Sequence, residues 1–226
     1  MLKRFIFIFI FCFLILWSSF VYCKEKESDF LPTSFFLLPV FFLQDEKIME
    51  EISSLTEDNF SKEGAKIFNI FGDGGLQIGA LAILYMHSSN TYHKKSACLA
   101  FNSWIKAASY TWILKVLTGR ARPGEEKRGF FGPTLRYNSF PSGHTSTAFA
   151  IATVLGKRYK AEKIAYILAT FVGVSRIILR KHYPSDVLAG AIIGYLAGKQ
   201  TLDNDRQSFS VSLIPNGWKF SLKIRW

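Results

Sequence analysis

Three clusters decide how this chain is read: KVLTGRARP at 115–123, PSGH at 141–144 and SRIILRKHYPSD at 175–186. They carry the cations Lys115, Arg122 and Arg176, the imidazoles His144 and His182, the carboxylate of Asp186 and a Ser142-Gly143 helix start. Arginine and lysine neutralise phosphate-like oxygens, arginine through two parallel hydrogen bonds. A helix N-terminus adds backbone N–H donors and a favourable dipole. One imidazole can attack while another donates a proton. The inventory suits holding a tetrahedral oxyanion and attacking it.

The spacing carries a family resemblance. Lys115, six residues, then Arg122-Pro123 resembles the first signature of the type 2 phosphatidic acid phosphatase and vanadium haloperoxidase superfamily. Pro141-Ser142-Gly143-His144 resembles the second, and Ser175-Arg176, His182 and Asp186 resemble the third. All fit without a gap, in order, and the similarity in character runs from about Phe68 to Gly198. The resemblance implies a metal-independent phosphatase acting on a phosphomonoester or pyrophosphate, most readily that of a lipid phosphate, through a phosphohistidine. His182 would be the nucleophile, Asp186 its orienting partner and His144 the proton donor. Lys115, Arg122, Arg176, Ser142 and the N–H of Gly143 would cradle the phosphate. No metal and no cofactor is expected. A vanadate-dependent haloperoxidase shares the cradle, and a non-enzymatic phospholipid-binding membrane protein is the other alternative.

Composition sets the partners. The formal charge is +11, with 49% hydrophobic and 16% aromatic residues. An anionic partner follows from the charge: phosphate esters or lipid headgroups rather than nucleic acid, because the basic residues are dispersed beside apolar runs. Three cysteines, two of them in the N-terminal apolar run, make no disulfide framework and no zinc-type cluster.

Outward from the clusters, the chain divides four ways. Residues 1–23, with Lys3-Arg4 ahead of an apolar run from Phe5 to Cys23, read as a signal peptide or an N-terminal membrane anchor. Either places the rest on the exported side, as a membrane-associated protein of the cell envelope. Residues 24–66 form a lead-in. Leu31–Leu43 is short and holds Pro32 and Pro39, so an interfacial or core-covering segment is expected rather than a helix. Asp45–Lys66, with Ile48, Ile52 and Leu55, fits an amphipathic surface helix.

Residues 67–200 read as the catalytic helical domain. Its helices are expected over Leu76–Met86, Ser96–Leu117, Thr145–Leu155, Ala161–Leu179 and Pro184–Ala197. Phe71-Gly72-Asp73-Gly74-Gly75 reads as a turn or a close helix contact, since no Lys-Ser/Thr follows as a phosphate loop requires. Gly190, Gly194 and Gly198 recur every four residues and permit close helix packing. Arg120 and Arg128 read as solvated loop cations, and His87 and His93 as structural or exposed. None of these helices holds 18 uninterrupted apolar residues, although the resemblance implies membrane-spanning helices with the site at one face. Residues 201–226 alternate polar and apolar about Pro215-Asn216-Gly217 and read as a β-hairpin tail. The expected fold is all-α, a bundle of five to six helices with that C-terminal appendage.

Overall fold

The computed structural model describes residues 30–125, 129–214 and 217–224. The expected signal or anchor at 1–23 and Arg128 lie outside them. Among the described residues there are seven helices: α1 (Phe30–Leu55), α2 (Asn59–Phe71), α3 (Gly74–His87), α4 (Thr91–Thr118), α5 (Gly143–Tyr159), α6 (Glu162–Ile178) and α7 (Pro184–Arg206).

Helix α5 is the hub, packed on by α4, α6 and α7. The glycine stripe explains how closely α7 lies on it. A Cβ at Gly194 would stand 2.2 Å from the Ser146 carbonyl, and one at Gly190 would stand 2.6 Å from that of Ser142. One at Gly198 would meet Thr153 at 2.5 Å. Only hydrogen atoms fit there, so the two backbones approach to contact.

Helix α4 reverses the usual soluble pattern. Its buried face is small and polar: Ser96, Ala100, Ser103, Ala107 and Thr111. Trp112, Ile113 and Leu117 face outward, Trp112 with 63% of its surface exposed. The buried hydroxyls are satisfied locally or across the interface, as where Thr111 Oγ1 donates to Ser146 Oγ at 2.8 Å. Small residues inside and large apolar residues outside is the packing of helices whose surroundings are apolar. Among the described residues no single helix is long and apolar enough to cross a membrane. The bent pair α2–α3, which turns by 53° between Phe71 and Gly74, passes on length and composition together.

The lead-in departs from its expectation. Leu31–Leu43 is helical and continuous with the residues after it, because α1 runs through Pro39. Tertiary packing outweighs the proline: Phe41, Asp45 and Met49, four residues apart on one face, are all buried. Asp45–Lys66 is not one surface helix. The first stretch ends at Leu55, and Asp58 caps α2, accepting from Ser61 N at 2.7 Å.

Helix α7 also runs further than expected, to Arg206. Beyond it Gln207–Ile214 and Gly217–Ile224 pair only with each other, antiparallel, with Val211 opposite Phe220. A lone two-stranded ladder is marginal by itself. The expected hairpin appendage is not supported as a part of this all-α fold.

Candidate active site

Each cluster arrives on a helix end. Lys115 lies in the last turn of α4, which Gly119 stops in the left-handed conformation at φ 53°. A Cβ on Gly119 would also meet the Gly132 carbonyl at 2.2 Å, so the loop after α4 folds back tightly on the helix. Lys115 Nζ donates to the Asn138 carbonyl and, at 3.4 Å, to that of Ser139. Arg122 Nε donates to Asn138 Oδ1 at 3.1 Å. Asn138 thus ties the first cluster to the approach of the second.

The second cluster opens α5, with Ser142 at its N-cap. Ser142 Oγ accepts from Thr145 Oγ1 at 2.9 Å, and Ser142 N donates to the Asp186 carbonyl at 2.9 Å, which joins this cluster to the third. A Cβ at Gly143 would lie 3.9 Å from Lys115 Cε, an ordinary contact, so the lysine stem passes beside the start of α5.

The third cluster spans the end of α6, a short turn and the start of α7. Arg176 is buried and donates through Nη1 to Asn69 Oδ1 of α2. Its Nε is buried with no hydrogen-bond partner among the described residues. His182 Nδ1 stands 3.5 Å from Asp186 Oδ2, an ion-pair distance too long for a good hydrogen bond. Asp186 is fully buried and richly held. Its Oδ2 accepts from Ser139 Oγ at 2.5 Å and Tyr183 N at 2.9 Å, and its Oδ1 accepts from Arg120 Nη1 at 2.6 Å.

Burial pushes His182 down to about 4; Asp186 pulls the other way, while Lys115 and Arg176 push it lower still. Burial also brings His144 down to about 4, helped by Arg176, Lys115 and Arg122, with Asp73 opposing. Both imidazoles therefore feel Lys115 and Arg176. Burial alone would raise Asp186, but His182, Arg120 and Ser139 hold it below the ordinary carboxylate value. Lys115, Arg122, Ser142, Gly143, His144, Arg176, His182 and Asp186 are brought to one end of the bundle. His93 stands apart, its Nδ1 2.6 Å from Tyr159 Oη, and His87 is exposed at the end of α3. Among the described residues no three His, Cys, Asp or Glu side chains cluster as a metal site would.

Arg120 is a correction. It is not solvated but 6% exposed, bonded to both Asp186 and Asp45. Tyr183, Phe42 and Phe130 lie around its guanidinium, with ring centroids 4.2, 5.0 and 5.0 Å away. Sequence reasoning also missed Ser139 and Asn69. A Cβ on Gly72 would lie 2.9 Å from His144 Cδ2, so the glycine-rich break is a close contact under a site histidine. Only the break itself was visible in the sequence; its partner was not.

The PAP2 superfamily model matches residues 96–204. A lipid A 1-phosphatase of Rhizobium etli is 30% identical over 187 residues, 72% of this chain and 80% of that protein. A decaprenylphosphoryl-5-phosphoribose phosphatase of Mycobacterium tuberculosis is 34% identical over 86 residues, 38% of this chain and 48% of that one. Among solved structures, Aquifex aeolicus LpxE superposes with a TM-score of 0.59 at 26% identity, over 70% of this chain and 94% of its own. A transmembrane PAP2-type phosphatidylglycerolphosphate phosphatase of Bacillus subtilis gives 0.57 at 20% identity, over 87% and 94%, a likeness of fold alone. The chain belongs to the PAP2 superfamily. It is a phosphoric monoester hydrolase.

Proposed function

We propose that this enzyme removes a phosphate from a membrane lipid through a covalent phosphohistidine, and that its first candidate substrate is a lipid A-type sugar phosphate. The observation that carries the chemistry is the gathering of Lys115, Arg122 and Arg176 about two imidazoles whose charged forms are disfavoured. The substrate class rests on the named activities of the relatives. The membrane setting is supported by the lipid phosphates in the relatives' names and by the outward apolar faces of α2, α4 and α6, among them Ile67, Trp112 and Ile164. We place the catalytic unit at residues 67–200 with helix α1 packed on it, and its open end on the exported side.

The steps follow from the atoms. His182 Nδ1 faces Asp186, which leaves Nε2 to attack phosphorus. The P–O bond to the lipid breaks, its electron pair leaves on oxygen, and His144, which takes up a proton as the dianionic phosphate binds among the cations, supplies that proton. Lys115, Arg122 and Arg176 hold the equatorial oxygens, with Ser142 and the Gly143 N–H completing the cradle, where charge accumulates in the transition state. Asp186 stabilises the imidazolium as the acid of a Ser-His-Asp triad does. Water then attacks phosphorus, His144 takes its proton, and the P–N electrons return to His182.

The test is phosphate release from a panel of lipid and soluble phosphates with EDTA present. A lipid phosphate should be turned over, vanadate should inhibit, and His182→Ala should abolish release while the protein still elutes as folded. Turnover by His182→Ala, or loss of activity in EDTA, defeats the mechanism.

A further inference from the structure

Asp45 and Arg120 lie behind the site, outside the three clusters, and Asp45 precedes the segment that the family model covers. Both are buried: Arg120 is 6% exposed and Asp45 2%. Arg120 Nη1 donates to Asp186 Oδ1 at 2.6 Å and to Ser185 Oγ at 2.7 Å, while Nη2 donates to Asp45 Oδ2 at 2.6 Å. Asp45 Oδ1 accepts from Ser185 N at 2.9 Å, and Oδ2 is bonded to Ser185 Oγ. One guanidinium is therefore shared between two carboxylates, one from α1 and one from α7.

The charge balance gives this arrangement a meaning. A guanidinium at 2.6 Å would by itself cancel most of what Asp186 can offer His182. A second carboxylate on the far side of the same guanidinium offsets it. Two carboxylates and one guanidinium leave one negative charge, which matches the imidazolium that forms when His182 attacks phosphorus. Burial raises the Asp45 carboxyl, and the charge and hydrogen bonds of Arg120 and Ser185 pull against it.

We propose that Asp45, delivered by helix α1, and Arg120 are positioning residues for this reaction: Asp45 neutralises Arg120 so that Arg120 can fix the Asp186 carboxylate without quenching its charge toward His182. This rests on the phosphohistidine reading above. It gives the lead-in helix a part in catalysis rather than in packing alone. The other charged groups bearing on His182 are Lys115 from α4 and Arg176 from α6, which are the same in every variant below.

Asp45 also holds the first turn of α7 through Ser185, so the test must separate charge from tether. Asp45→Asn keeps an acceptor for Ser185 N, but it removes the charge and also turns an amide N–H2 toward Arg120 Nη2, so the pH limbs, which a lost contact alone does not move, separate the two effects. Its kcat should fall about 10- to 100-fold, the scale seen when a partner that orients a metal-bound histidine is removed, with KM within about twofold. The acid limb of its pH–rate profile should move to lower pH, because His182 loses net negative charge behind it. Arg120→Met leaves two carboxylates and should move that limb to higher pH. The double variant Asp45→Asn/Arg120→Met again carries one negative charge, and its kcat should exceed that of Asp45→Asn by about tenfold.

A purely structural pair leaves both limbs unmoved, whatever activity the double variant recovers. That result, or a wild-type kcat in Asp45→Asn, overturns the proposal. If Asp45→Asn does not fold, the opposite limb shift of Arg120→Met decides it. An active wild type and a dead His182→Ala beside an indifferent Asp45→Asn sink this inference alone. An active His182→Ala sinks the mechanism beneath it.

Discussion

Replacing Gly72 with alanine adds one methyl group beneath His144 and nothing else. Gly72 has φ −86°, so alanine accepts the backbone without strain. The added Cβ, however, would stand 2.6 Å from Val172 Cγ1, 2.9 Å from His144 Cδ2 and 3.0 Å from His144 Cβ. Ordinary carbon contacts begin near 3.5 Å, so the ring or the helix that carries it must give by roughly half an ångström or more. Overpacking of this kind costs about 1–3 kcal/mol of stability. A misplacement of about 1 Å at a reacting group can cost on the order of 100-fold in rate. Activity should therefore suffer more than folding.

Because His144 is assigned to the leaving group, the loss should also depend on the substrate. A lipid alcohol or sugar hydroxyl needs its proton, whereas p-nitrophenolate departs without one. Purified Gly72→Ala should lose about 100-fold in kcat/KM on a lipid phosphate and far less on p-nitrophenyl phosphate. Equal losses on the two substrates would mean that Gly72 does not act through His144. Gly64→Ala and Gly79→Ala, where a Cβ meets nothing within 4 Å, serve as controls.

Two further outcomes follow from the same geometry. In a histidine NMR titration of the detergent-solubilised protein, the imidazoles of His144 and His182 should change protonation near pH 4, both held neutral by burial and by the cations beside them. A bound dianionic phosphate or vanadate reverses the sign of the charge facing His144, so its midpoint should rise on ligand addition, with proton uptake; midpoints near the ordinary histidine value in the free enzyme would contradict the buried, cation-lined site. Gly194→Ala should lower the thermal midpoint and the activity together, because its Cβ would stand 2.2 Å from the Ser146 carbonyl and force α7 away from α5, a cost of about 1–3 kcal/mol or more; an unchanged midpoint would mean that the helices are not in contact there.

How much of this was legible in the sequence depends on whether a signal was local. Some helix ends are readable: Gly119 closes α4 and Pro184 opens α7, whereas the Asp58 cap of α2 falls inside the expected Asp45–Lys66 helix and is not. The three clusters were readable because their spacing is fixed along the chain. The core face of α4 was not. Leu99, Trp104 and Trp112 made an apolar pattern that points to the interior of a soluble bundle, yet Trp112 faces out and Ser103 and Thr111 face in. Hydrophobic periodicity assumes water outside. Where the exterior is apolar, size and hydroxyl satisfaction select the buried face instead.

Arg120 shows the same limit at the site itself. Four arginines fall between 120 and 136, and a loop arginine is by default solvated. What buries this one is not in the loop. Asp45 comes from 75 residues upstream, Asp186 and Ser185 from 66 and 65 downstream, and the rings of Phe42, in α1, and Tyr183, in the turn just ahead of α7, close the cage. A buried guanidinium survives only where carboxylates and faces meet it on every side. The sequence holds each of those residues, but the break expected over Leu31–Leu43 separates Phe41 and Phe42 from the helix that carries Asp45 and Met49. The misreading of Pro39 and the misreading of Arg120 were therefore one error. Its physical content is that a helix proline can be outweighed by a buried ion pair and an apolar stripe reaching into the active site.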